Sequence, residues 1–159
     1  MKWARLLLTI PVLLLAFVFG YLYWGANADI SMNVQTAPAQ EHSATYDSVV
    51  TAVQTGAAED VFTDAPFTGA QDYTLVSMQV TMRNPGVLPM EWVSCKYAGT
   101  NGDVALYEIE GLPADIGSQG EITFFVRTIR QSSVPMGNPA LEIHYYVAGQ
   151  EFVKTVGGR

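Results

Sequence analysis

His144 stands two residues from Glu142 and two from Tyr146 in the stretch LEIHYYV. On an extended chain, residues two apart point to the same face. A carboxylate and a phenol would then flank an imidazole, which is how a general base polarised by an acid is built. A solvated strand face carries the same triple, and that is the expectation here. Glu108 and Glu110 also lie two apart, which puts their side chains roughly 6.5–7 Å from each other on one face. Paired carboxylates at such spacing do acid–base work on glycosides, but no cleft is signalled around them. A third constellation is soft: Met32, Met78, Met82, Met90 and Met136, with Cys95 and His144. Sulfur ligands select cuprous copper. Met78 and Met82, however, fall at inward strand positions where methionine is ordinary filling. Met90 and Met136 are left in loops, with no histidine near in sequence. Asp60, Asp64 and Asp103 are too dispersed for the dense oxygen ligands of a calcium loop.

Patterns with stronger mechanical content do not occur. There is no H-E-x-x-H, no G-x-S-x-G, no C-x-x-C and no glycine-rich phosphate loop. Gly117-Ser118-Gln119-Gly120 reads as a turn. Histidine occurs only at 42 and 144, and the single cysteine, Cys95, excludes an intramolecular disulfide. Its neighbours Val93 and Tyr97 mark it as a buried thiol; a dimer linked through it is the open alternative. No N-x-S/T acceptor is present. The chain therefore reads as a non-enzyme, with no cofactor expected.

Strands are the elements that would position these residues. In YTLVSMQVTMRNPG, Val76, Met78, Val80 and Met82 alternate with Ser77, Gln79, Thr81 and Arg83, the period of a strand with one face in a core. Asn84-Pro85-Gly86 ends it. A strand over 90–98 follows, with Trp92, Val93, Cys95 and Tyr97. Asn101-Gly102 is a strong hairpin cue and makes 104–109 the return strand. GEITFFVRTIR gives another, and ALEIHYYVAG places Leu141, Ile143, Tyr145 and Val147 inward. After the turn at Gly149-Gln150, EFVKTV is the last. Upstream, 46–56 suits a first strand, a short helix being the alternative, and 57–72 reads as a long loop. About seven strands separated by turn signals predict an all-β, antiparallel β-sandwich.

The N-terminus differs in kind. Residues 6–24, opening with Leu6 and closing with Trp24, carry no charge. As a helix they extend roughly 28 Å, close to the hydrocarbon thickness. Trp3 lies at one end and Tyr21, Tyr23 and Trp24 at the other, at the depths where aromatic rings collect. Lys2 and Arg5 would stay in the cytoplasm. The expectation is one N-terminal transmembrane helix, a signal anchor over 1–28, then a stalk over 29–45, then the sandwich over 46–159. Ala26-Asn27-Ala28 also has the form a signal peptidase accepts, so secretion after cleavage following Ala28 stays open. The apolar run is longer than a signal core, which favours a single-pass protein of the cell membrane with its C-terminal domain extracytoplasmic.

The chain carries −7 overall, and from residue 29 onward 6 basic residues face 15 acidic ones, a net −9. Such a domain is repelled by nucleic acid. An export segment, a small-residue stretch, SVVTAVQTG, a Val/Met strand ending in N-P-G, an N-G-D turn, and the late pair GEITFFVRT and LEIHYYVAG together resemble the immunoglobulin-like (telokin-like) accessory domains of bacterial exported proteins. The resemblance covers about residues 46 to 156. It implies a binding or scaffolding domain and supplies no site residues. The function expected is thus a non-enzymatic, membrane-anchored binding or assembly module with a protein partner at the cell surface. Its candidate contacts are Leu88, Met90, Leu112 and Met136, in loops 84–91, 111–120 and 131–139, where Pro and Gly fix the backbone. The alternative is an exported copper-binding carrier.

Overall fold

The structure, a computed structural model, describes residues 2–157; within the first helix it describes the side chains of residues 9–20 only. In chain order the elements are α1 (Lys2–Gly25), β1 (Asp29–Pro38), a short 3-10 turn (Ala39–His42) and α2 (Ser43–Thr55). Then come β2 (Asp60–Val61), a second 3-10 turn (Ala70–Asp72), β3 (Tyr73–Arg83), β4 (Met90–Tyr97) and β5 (Asp103–Glu110). The last four are β6 (Ala114–Ile116), β7 (Glu121–Gln131), β8 (Ala140–Val147) and β9 (Gln150–Gly157).

The strands form two antiparallel sheets, β1-β3-β7-β5-β2 and β6-β4-β8-β9. If β1, β3, β4, β5, β7, β8 and β9 are lettered A to G, the sheets read ABED and CFG. That is the strand order of an immunoglobulin constant-type sandwich. The short β2 extends the first sheet beside β5, and β6 extends the second beside β4. Six of the seven lettered strands fall where strands were expected, and β1 takes the place of the one expected over 46–56; the two short strands have no separate sequence signal.

The core forms where the alternating positions predict it. Val76, Met78, Val80 and Met82 of β3 are buried, as are Phe124 and Val126 of β7, and they pack with Leu141, Ile143, Tyr145 and Val147 of β8. Each such side chain contributes about 1.5–3 kcal/mol on burial. A second cluster lies on the outer face of the five-stranded sheet, where α2 and the turn before it pack on Tyr73, Leu75, Val104, Ala105 and Ile129. One end of that sheet is therefore covered on both faces, and for this reason strict alternation fails at Leu75-Val76 and across 128–130.

Three expectations are corrected. The stalk over 29–45 does not exist. Residues 29–38 are β1, paired with β3 along its whole length from Asp29↔Arg83 to Pro38↔Thr74. Ile30, Met32 and Val34 alternate with polar neighbours and pack on the core, so the sandwich begins at 29 and not at 46. The strand placed at 46–56 is a helix. Tyr46, Val49, Val50 and Val53 follow the i, i+3, i+4, i+7 series and all face the second cluster. Gly56 stops the helix at φ 71°, with Ala57 N–H donating to Ala52 O at 2.8 Å. Finally, Asn101-Gly102 makes no hairpin, because β4 and β5 lie in different sheets. A Cβ at Gly102 would come 2.7 Å from Val134 Cβ. Glycine there serves a close approach between loops.

Among the described residues no helix is long and apolar enough to cross a membrane. Positions 9–20 of α1 extend about 18 Å, short of a hydrocarbon layer of about 30 Å. The expected anchor depends also on Lys2, Trp3, Arg5, Leu6, Tyr21, Tyr23 and Trp24, whose side chains lie outside the described residues.

Candidate functional site: the outer face of the four-stranded sheet

The two sheets differ in what covers them. The five-stranded sheet has α2 on its outer face. The outer face of the four-stranded sheet instead exposes three large apolar side chains: Trp92, Tyr146 and Val153.

Trp92 is there because of a bulge. Met90 and Val93 are three apart, and both are fully buried. Strict alternation would turn one of them outward. The pairing of β4 with β8 shifts between Glu91↔Tyr146 and Ser94↔His144, and this extra residue lets Met90 and Val93 both face the core. Glu91 and Trp92 are left exposed between them. Trp92 adopts φ 51°, a conformation that side chains with a Cβ rarely take. It remains 69% exposed. Its backbone N–H donates to Asp115 Oδ1 of β6 at 2.8 Å, which gives the bulge a partner on the sheet edge.

His144 lies near the centre of the face, opposite Ser94 on one side and Val153 on the other. Its ring nitrogens are 2.7 Å from Glu142 Oε1 and 2.9 Å from Glu151 Oε1. The two carboxylates hold opposite sides of the ring, so the three groups do not converge on a point where an ion could sit. Among the described residues no group of three or more His, Cys, Asp or Glu could hold a metal. Around the face Glu91, Asp115, Glu142 and Glu151 set four carboxylates against Lys96, which lies opposite Glu142.

The candidate contacts of the sequence reading do not come together. Met90 is fully buried, so its sulfur presents nothing to a partner; the strand begins at Met90, one residue before the expected loop ends. Leu88 and Leu112 are half-buried against the core. Met136 is 41% exposed but lies at the opposite end of the sandwich. Loops 84–89 and 117–120 are joined by Asn84 N–H donating to Gly120 O and Gln119 N–H to Gly86 O. Loop 131–137 is joined instead to residues 101–102, through Arg130 Nη2 donating to Asn101 O and Gln131 N–H to Gly102 O.

The other constellations are also accounted for. Glu108 and Glu110 both bind Arg127, the second at 2.8 Å, and the guanidinium lies 5.2 Å from the Phe125 ring centroid. One guanidinium shared by two carboxylates makes a partly exposed ion cluster. Met78 and Met82 are fully buried, and Met32 packs on the core. Cys95 is half-buried; burial first, then the charge of Glu59, push its thiol up to about 11. Asp103 is buried, and its Oδ2 accepts from Tyr97 Oη at 2.5 Å and from the Thr100 N–H and hydroxyl. Burial and this hydrogen bond raise the Tyr97 phenol far above its ordinary range. A 790 Å³ groove between α2 and 61–68 is lined by Val50, Val53 and Phe67 with Asp47 and Asp64; it carries no histidine, cysteine or cation.

The sequence held no signal for the exposure of Trp92: a regular strand would put Met90 and Trp92 on one face, and only the burial of both Met90 and Val93 reveals the bulge.

No protein-family model matches the chain, and no curated protein matches it. Among solved structures it is similar to the yeast GGA1 GAE domain, at 12% identity over 58% of this chain and 96% of that one, with a TM-score of 0.36. The immunoglobulin-like assignment stands on the ABED/CFG strand order described above.

Proposed function

We propose that the chain is a membrane-anchored binding or assembly module, and not an enzyme, whose protein partner docks on the outer face of the four-stranded sheet. Trp92 carries the proposal: a large indole kept 69% exposed at φ 51° by a bulge. Tryptophan is among the residues enriched at interface hot spots, and backbone outliers gather at sites under functional constraint. Tyr146 and Val153 widen the apolar contact. The four carboxylates around them match a partner that is basic at its rim, and the net −9 of the domain acts in the same direction. Nucleic acid is not such a partner, since its phosphates repel the face.

The anchor is the uncharged run of residues 6–24, with Lys2 and Arg5 on the cytoplasmic side and the sandwich extracytoplasmic. Retention of the anchor, rather than cleavage after Ala28, is supported by the packing of Ala26 and Ala28, each 1% exposed. Cleavage would take from Tyr145 and Lys154 the carbonyls to which they donate. The bacterial, exported, telokin-like setting is the one the sequence resemblance implies.

The test is photo-cross-linking of the full chain in its native membrane, with a benzophenone amino acid in place of Tyr146. The expected result is one dominant adduct, lost in a Trp92→Ala background and weakened by salt or by Glu142→Lys with Glu151→Lys. An adduct that survives all three changes would reject this face.

A further inference from the structure

The joint between helix and sandwich sets which end of the domain faces the bilayer. Only residues 26–28 separate α1 from β1, and they are held to the domain. Tyr145 Oη donates to Ala26 O at 2.9 Å, and Ala28 N–H donates to Tyr145 Oη at 3.4 Å. Lys154 Nζ donates to Ala28 O at 2.6 Å. The next residue, Asp29, enters the other sheet opposite Arg83. The segment is thus tied to β8, β9 and β3, in both sheets, and is not a swivel.

Arg83 also marks the end of the sandwich at which α1 leaves. Beyond it, loops 84–89 and 117–120 are locked into one unit. Asn84 Nδ2 donates to Leu88 O at 2.8 Å and to Gly117 O at 3.0 Å, and Ser118 Oγ donates to Gly86 O at 3.1 Å. Neither loop carries a charged side chain. Pro85, Val87 and Pro89 form an exposed apolar tip, with Val87 48% exposed. The interfacial layer beside the hydrocarbon is about 5–8 Å thick, and the residues joining helix to strand span at most about 14 Å. A tip starting from the level of Arg83 falls within or beside that layer.

We propose that the uncharged tip formed by these two loops is a footing on the lipid surface, with Val87 among the headgroups, so that the outer face of the four-stranded sheet looks sideways along the membrane. The inference rests on α1 being the anchor. The lipid surface, and not a protein, is the chosen occupant because the chain itself brings this end to the helix terminus.

The experiment uses the full chain in phosphatidylcholine vesicles containing doxyl-labelled lipid. Three variants, each in a Cys95→Ala background, carry an environment-sensitive fluorophore: Val87→Cys, Ser118→Cys and, at the far end, Met136→Cys. The expected result is blue-shifted, doxyl-quenched emission at 87 and 118 and solvent-like, unquenched emission at 136. Equal, solvent-like emission at all three positions, in chains that float with the vesicles and resist alkaline extraction, would overturn the footing and leave the anchor intact. Chains that fail to float would remove both together.

Discussion

The positive φ of Trp92 makes its two simplest replacements behave in an order opposite to that of an ordinary strand. Trp92→Ala and Trp92→Gly both delete the indole. It is 69% exposed, so about 50–80 Å² of contact is lost in each, or roughly 1–2 kcal/mol. The variants differ in the backbone. An L-residue with a Cβ at φ 51° costs about 1–2 kcal/mol, whereas glycine is free of that strain but gives up about 0.5–1 kcal/mol of chain entropy. The glycine variant should therefore be the more stable by about 0.5–1 kcal/mol. At a regular strand position it would be the less stable by about the same amount. Urea denaturation of the two full-length variants in identical micelles measures the difference. With a slope of about 1–3 kcal/mol/M, the glycine midpoint should lie ~0.2–1 M higher. Both variants should lose the Tyr146 cross-link, so that the more stable protein is still unable to bind. An alanine variant as stable as the glycine one, or more so, would refute the strained bulge and with it the main support for the docking face.

Other consequences follow from groups away from that face. Cys95, with its thiol pushed up to about 11 by burial and Glu59, should alkylate slowly at pH 8 and about 200-fold faster in urea, where an ordinary thiol value returns; equal rates would show that the thiol is not half-buried. Arg130 Nη2 lies 3.0–3.1 Å from three carbonyls, Asn101 O, Val134 O and Pro135 O. Arg130→Ala should destabilise the fold by about 2–4 kcal/mol and raise hydrogen exchange at 131–137, while loops 84–89 stay protected. The phenols of Tyr97 and Tyr145 are raised by burial, so above pH ~10 the folded chain holds protons that the unfolded chain releases. Their contribution to stability is full below that pH and falls as pH rises through it. Tyrosinate absorbance should show a late fraction that appears together with loss of near-ultraviolet dichroism.

What could be read in the sequence and what could not divides along physical lines. The inward faces of β3 and β8 were legible because period-two patterning acts within one strand and needs no partner. The segment 43–55 was ambiguous because two periods fit it: Val49, Thr51 and Val53 alternate, while Tyr46, Val49, Val50 and Val53 recur at helical spacing, with Gly56 as the stop. β1 was hidden by its composition. As an edge strand it offers only Ile30, Met32 and Val34 to the core, among polar residues that also suit a linker. Which sheet follows the Asn101-Gly102 turn is a long-range matter, settled by contacts such as Gly102 against Val134. The burial of three of the candidate contacts was illegible for a similar reason. Apolar residues in Pro- and Gly-rich loops can point either way, and in this fold Leu88, Met90 and Leu112 turn inward.

The constant-type strand order itself relates the proposed anchor to the proposed docking face. In this order the first strand lies at one edge of its sheet and the last at an edge of the other, and β1 and β9 come into contact. A helix that precedes β1 therefore leaves from the side where the two sheets meet. Here it is tied to both, through Arg83 in one and Tyr145 and Lys154 in the other. Trp92 lies across the four-stranded sheet from that joint, on β4 beside the β6 edge. With the tip of 84–89 on the lipid surface, as proposed, the indole would face sideways. A partner that meets it there approaches along the membrane, which fits a second membrane-attached protein better than a soluble one.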